Sequence, residues 1–98
     1  MEKRKPHVPL EEVKSLVRAG KVRATFTALA GGATLNLGFD EMTGVVLGLA
    51  MQDFYKSMTA HANRRLWQDV YRPHIPQGRV YLKLTIVDDV VILSFKEL

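Results

Sequence analysis

Apolar residues recur every third or fourth position in the first half of this chain and every second position in the second half. In "VPLEEVKSLVRAG" Leu10, Val13, Leu16 and Val17 fall on one stripe, with Lys14 and Arg18 off it. The spacing predicts a helix, with Pro9 in its first turn, Glu11 and Glu12 near the positive end of the dipole, and Gly20 at the stop. In "VRATFTALAGGATLNLGF" Thr25 can cap a short helix through Ala30, which Gly31-Gly32 should end or loosen. In "DEMTGVVLGLA" Met42, Val45, Val46 and Leu49 recur at helical spacing behind Asp40, a good N-cap residue. Gly44 and Gly48 each cost roughly 1 kcal/mol relative to alanine in a helix, so they are expected where elements pack closely.

After Met51 the period shortens to two. "DFYKSMTA", "LWQDVYRP", "RVYLKLTIV" and "VVILSFKEL" predict strands, separated by "HANRR", "HIPQG" and "DD". The fold class is therefore α+β: N-terminal helices packed on one face of a C-terminal antiparallel β-sheet. Ninety-eight residues with no linker, repeat or low-complexity tract make a single domain, 1–98.

The alternation also constrains the pairing. A turn at Asp88-Asp89 sets Leu82 against Phe95, Leu84 against Leu93 and Ile86 against Val91, one continuous apolar face. On the other face it sets Lys83 against Ser94 and Tyr81 against Lys96. A three-residue loop at His61-Ala62-Asn63 pairs Ala60 with Arg64 and sets Lys56 against Gln68. With "HIPQ" as a four-residue loop, Lys83 opposes Gln68 and Tyr81 lies on the diagonal. Lys56, Gln68, Tyr81 and Lys96 then share one face, while Asp69 turns to the covered face and needs a partner there. From alternation alone the solvated face is the simpler reading, since half-exposed antiparallel sheets carry Lys, Thr and Tyr outward.

Composition narrows the chemistry. A hydrophobic content of 47% with 24% charged residues is that of a globular chain. No apolar run has the ~18 residues of a membrane span. "MEKRKPHVPLEEV" lacks the apolar stretch of a signal peptide, so the cytoplasm is the expected compartment. The absence of cysteine excludes disulfides, thiolate catalysis and Cys-based zinc sites. The formal charge is +4 and the pI about 9.6, which suits a polyanion or an acidic protein partner. Each half carries seven basic and five acidic residues, so folding must assemble any positive patch.

The blocks "MEKRKPH", "VRAGKVR", "DFYKSMT", "WQDVYRP", "VYLKLT" and "SFKE" resemble, in this order, the motility quorum-sensing regulator (MqsR) family. The resemblance runs from the first residues to the last and is weakest across "LAGGATLNLGFDEMTGVVLGLAMQ". It implies a RelE-like fold and a ribonuclease toxin of a bacterial toxin–antitoxin pair. The implied activity is metal-independent, ribosome-independent cleavage of single-stranded mRNA at short GC-containing sites such as GCU. The family's active-site set falls on Lys56 in "FYKSM", Gln68 in "WQDV", Tyr81 in "VYLK" and Lys96 in "SFKE". The implied partner is the antitoxin MqsA, which binds zinc and carries a helix-turn-helix domain, so the metal and the operator DNA belong to the partner. No cofactor is implied for this chain. Where the family has a histidine in the final turn this chain has "VDDV", and Asp88 offers no imidazole.

The expected reaction is attack of a ribose 2′-OH on the adjacent phosphorus, giving a 2′,3′-cyclic phosphate and a 5′-OH. Lys56 and Lys96 supply positive charge where negative charge develops, Gln68 holds a phosphate or ribose hydroxyl, and Tyr81 is the candidate for proton transfer. Tyrosine and lysine side chains ordinarily titrate well above neutral pH, so charge stabilisation and in-line positioning should outweigh proton transfer. His7, His61 and His74 offer a rival acid–base route, but nothing aligns two of them on one element. Arg64, Arg65, Arg72 and Arg79 can grip flanking phosphates, as can Lys83, or can be solvated strand ends. Tyr55, Tyr71 and Trp67 can stack bases, although a core role suits Trp67 better. The alternative to an enzyme is a non-catalytic basic module that binds an antitoxin or nucleic acid.

Overall fold

Leu10, Val13 and Val17 are the buried stripe of α1 (Leu10–Arg18), which follows Pro9 at the N-cap. Gly20 takes the left-handed conformation (φ 79°) just beyond the helix end, as its lack of a Cβ permits. The computed structural model describes residues 1–98. Its elements are β1 (Glu2–Lys3), α1, β2 (Val22–Ala24), α2 (Phe26–Ala33), α3 (Phe39–Leu47), a 3₁₀ turn (Met51–Asp53), β3 (Phe54–Thr59), β4 (Trp67–Tyr71), β5 (His74–Ile75), β6 (Gly78–Val87) and β7 (Asp89–Glu97). The strands form one sheet in the order β1-β3-β4-β6-β7-β2, with β5 appended to β6.

The α+β expectation holds, with two additions. Both ends of the sheet come from the N-terminal half: β1 pairs antiparallel with β3, and β2 pairs parallel with β7. The helices cover one face, where residues of α1, α2 and α3 meet Tyr71, Val80, Leu82, Leu84, Val90, Ile92 and Phe95 in a single core.

Several local expectations are corrected. Thr25 caps α2 through its Oγ1, which accepts from the Ala28 N–H at 3.1 Å, but the helix runs through Gly31-Gly32 to Ala33. Those glycines allow contact: a Cβ on Gly31 would stand 1.9 Å from the Phe95 carbonyl oxygen, and one on Gly32 2.5 Å from Met42 Sδ. The N-cap of α3 is Gly38, not Asp40; the Glu41 carboxylate reaches back to accept from the Gly38 N–H at 2.6 Å. Gly44 faces open space and Gly48 meets only its own helix, so neither serves close packing.

The registers also move. In the β6–β7 hairpin Tyr81 does face Lys96, Leu82 faces Phe95 and Lys83 faces Ser94. Nearer the turn an irregularity at Leu93 shifts the pairing, so Leu84 faces Ile92 and Ile86 faces Val90. The turn is made by Asp88 alone, left-handed at φ 65°, between the paired Val87 and Asp89. The β3–β4 loop is longer than expected: Thr59 pairs with Trp67, and Lys56 faces Val70 rather than Gln68. In β4–β6 Lys83 likewise faces Val70, and Ile75 pairs with Gly78 around Pro76-Gln77. These two shifts are by an even number of residues, so each side chain keeps its expected face.

Candidate active site on the open sheet face

The face of the sheet opposite the helices is floored by Val70, fully buried although outside the helix-side core. Lys56 and Lys83 are its cross-strand partners, and both are half-buried beside it. At the start of β3 the register shifts between Phe54 and Lys56. Phe54 turns inward against Tyr71, while Tyr55 and Lys56 both stand on the outer side.

Four of the sequence-derived residues therefore share this face, unequally spaced. Tyr81 and Lys96 are direct cross-strand partners, and the Lys96 ammonium lies 5.3 Å from the centre of the phenol ring. Lys56 lies on the same face two strands from Tyr81, with β4 between them. Gln68 is set apart: opposite Met58, it stands beyond Val70 along β4, about 13 Å from Arg72 at the strand's other end. Arg72 takes the nearer place. It follows the Tyr71–Leu82 pair on the Tyr81 side, and its guanidinium stacks 3.8 Å from the Tyr55 ring centre. Arg79 precedes Tyr81 by two residues on the same face and is exposed, whereas Arg64 and Arg65 sit in the exposed β3–β4 turn at the Gln68 end.

One residue was missed. Glu2 pairs with Met58 across β1–β3, so its side chain points to the outer face, where its carboxylate is hydrogen-bonded to the Lys56 ammonium. That bond holds the Lys56 pKa above its usual value, and its charge assists, so the ammonium stays protonated. The same bond holds the Glu2 carboxyl below its ordinary range. A two-residue strand has no periodicity, so only the acid's presence beside "MEKRK" was visible.

The remaining candidates sort by face. Tyr71 is fully buried, which removes it as a base-stacking residue, and burial pushes its phenol pKa well up. Trp67 is half-buried on the helix side, outside the core, with His7 stacked on it at 5.2 Å and the Lys3 ammonium 4.2 Å from its ring centre. His61 and His74 are exposed, in the β3–β4 turn and in β5. Asp69 finds its partners on the covered face: the Ser57 hydroxyl at 2.5 Å, and the N–H groups of His7 (3.0 and 3.1 Å) and Val8 (3.2 Å). No three His, Asp or Glu side chains gather where a metal ion could be held.

An α+β domain that turns a lysine- and arginine-bearing sheet face to solvent belongs to the class of small basic domains, and such a face suits a polyanion or an acidic protein partner. More narrowly, a profile of the family described as motility quorum-sensing regulator, toxin of MqsA, matches residues 5–97, and the chain belongs to that family. It is 55% identical over 97 residues to the mRNA interferase toxin MqsR of Escherichia coli (strain K12), covering 99% of each chain.

Proposed function

We propose that this chain is an endoribonuclease toxin of a type II toxin–antitoxin pair. It cleaves mRNA at short GC-containing sites such as GCU, without a metal ion and without the ribosome. The observation that carries this reading is the Tyr81–Lys96 pair on an open basic face beside Lys56 and Arg72. Cations and a phenol suit transesterification by the RNA's own 2′-OH. That oxygen attacks the adjacent phosphorus, the P–O5′ bond breaks, and a 2′,3′-cyclic phosphate and a 5′-OH remain.

Within this reading Lys56 and Lys96 stabilise the charge that builds on the phosphorane oxygens. Because Lys56 stays protonated, its role is electrostatic and not that of a base. Tyr81 exchanges a proton with one of the reacting oxygens. Gln68, set back along β4, holds a neighbouring nucleotide. Arg72, Arg79 and Lys83 grip phosphates along the same face, and Arg64 those beyond Gln68. The partner is the antitoxin MqsA, zinc-binding and equipped with a helix-turn-helix domain through which the complex reaches operator DNA. The protein acts in the cytoplasm, and no helix is long and apolar enough to cross a membrane.

Purified protein incubated with a GCU-containing single-stranded RNA in EDTA, without ribosomes, tests the proposal. Cleavage leaving cyclic-phosphate ends is the expected result. A folded sample that binds the RNA without cutting it would establish the non-catalytic binding module instead.

A further inference from the structure

Gln68 does not stand where the reaction is placed. Tyr71 pairs with Leu82 and Asp69 with Leu84, so Arg72 comes level with Tyr81, and Gln68 comes level with Thr85, two rows away. Two rows are about 13 Å along the strands, and strand side chains stand roughly perpendicular to their sheet. Gln68 is therefore offered to a nucleotide other than the one whose phosphate lies at Tyr81 and Lys96. A single strand advances about 3.4 Å or more per nucleotide, so that nucleotide is about four positions away at most.

The row around Gln68 differs in kind from the cationic rows. Met58 faces it from β3, and Thr85 stands beside it on β6, itself paired with Val91. Thr85 and Val91 are buried, as is Val70 one row away, although neither valine belongs to the helix-side core. The floor of this end of the face is thus apolar. Its polar groups already have partners: the Thr85 hydroxyl donates to the Trp67 carbonyl at 2.8 Å, and Lys56 is bonded to Glu2. Glu2 closes the row beyond Met58, and the Lys56 ammonium beside its carboxyl favours the ionised form. A phosphate brought here would meet that negative charge. Lys83 in the next row and Arg64 in the β3–β4 turn can instead take the backbone on either side.

We propose that Met58 and Gln68 form a nucleobase subsite that reads one base of the cleaved site, so that Gln68 sets specificity and takes no part in the bond exchange. The inference rests on the endoribonuclease reading above and deepens it. The Gln68 side chain is half-buried, and its amide presents an acceptor and two donors, the pattern that pairs bidentately with a base edge. The Met58 thioether, also half-buried, supplies a soft apolar surface for the ring. A single-stranded RNA bares such edges, because its unstacked bases can be splayed out onto a protein surface.

The test is single-turnover cleavage of a short RNA carrying GCU, and of RNAs that change one base of it at a time, by wild type, Gln68→Ala and Gln68→Leu. Affinity for each RNA and thermal unfolding are measured alongside. Gln68→Leu removes the amide while keeping bulk on the apolar floor, which guards against a variant that fails to fold. Discrimination should fall about tenfold or more at one position of the site and hold at the others. Met58→Leu should bind as wild type does, whereas Met58→Ala should weaken binding of every RNA severalfold. Uniform slowing of all the RNAs by Gln68→Leu, with the preference intact, would make Gln68 part of the reaction and overturn the proposal. A preference unchanged in both Gln68 variants, or a wild type indifferent to the base changes, would overturn it as well. A wild type that cleaves none of the RNAs would sink the endoribonuclease reading itself, and the affinities would then carry the same comparison.

Discussion

Tyr71 and Asp69 are neighbours in the register of β4–β6 and show opposite treatments of a buried polar group. The Tyr71 hydroxyl is buried with no hydrogen-bond partner. Removing it should leave stability unchanged or raise it by up to about 1 kcal/mol, since an unsatisfied buried hydroxyl is a liability. Urea unfolding of Tyr71→Phe checks this, and a loss of more than 1 kcal/mol would mean the hydroxyl is bonded. Asp69 is the reverse, a buried carboxylate with a hydroxyl and two backbone N–H groups assembled around it. Its partners tie the segment leading into α1 to the sheet. Asp69→Ala should therefore destabilise by about 3 kcal/mol, because it orphans three donors at once. A change below 0.5 kcal/mol on the same unfolding curve would contradict that account.

At the scale of elements, α2 and β7 are the critical contact. Thr25 caps the helix, donates its hydroxyl to the Leu93 carbonyl at 3.0 Å, and so fixes the helix to the irregular point of the strand. Two turns on, Gly31 lies under the backbone of Phe95 and Lys96. Gly31→Ala gains helix propensity of about 1 kcal/mol, but its Cβ would collide with a strand carbonyl rather than a side chain that can move. The expected outcome is a lower melting temperature and slower RNA cleavage, because the displaced strand carries Lys96; an unchanged melting temperature would show that the helix simply slides. This element also shows what could be read in advance. Alternation placed Lys56, Gln68, Tyr81 and Lys96 on one face despite shifted partners, but it misplaced Val90 to Leu93, because the irregularity at Leu93 turns Val90 and Ile92 into the core in place of Val91 and Leu93. It could not decide the partner, because a shift of two residues leaves the pattern unchanged and only turn geometry chooses between them. Asp88 turning alone and the long 61–65 loop set the actual registers, which bring Arg72 to the Tyr81 end and move Gln68 away. The strands β1 and β2 had too few residues to show any period, and Glu2 was lost with β1. The difference between Gly31 and Gly44 was illegible for another reason: a glycine looks the same in sequence whether it meets a backbone or open space.

Across the whole molecule, cations contributed by four separate strands or their ends meet on one face: Lys56, Arg72, Arg79, Lys83 and Lys96, with Glu2 among them. RNA binding should accordingly weaken as salt rises. Each phosphate contact contributes a slope of about 0.7 in a log–log plot of affinity against salt for a single strand. Lys83→Ala should reduce the slope by about that amount and weaken binding similarly for all sequences, as expected of a phosphate contact. A slope unchanged from wild type would make Lys83 a cover for Val70 and nothing more.

The central claim is that the chemistry occurs at the Tyr81–Lys96 pair and not at a histidine. Single-turnover cleavage of a GCU-containing RNA by Tyr81→Phe and His74→Ala, both checked for fold, decides it most directly. The account expects the loss of one phenolic oxygen to slow cleavage about 10²-fold, and the loss of His74 to leave the rate within about twofold of wild type. A fast Tyr81→Phe enzyme beside a His74→Ala enzyme slowed about 10³-fold would contradict it.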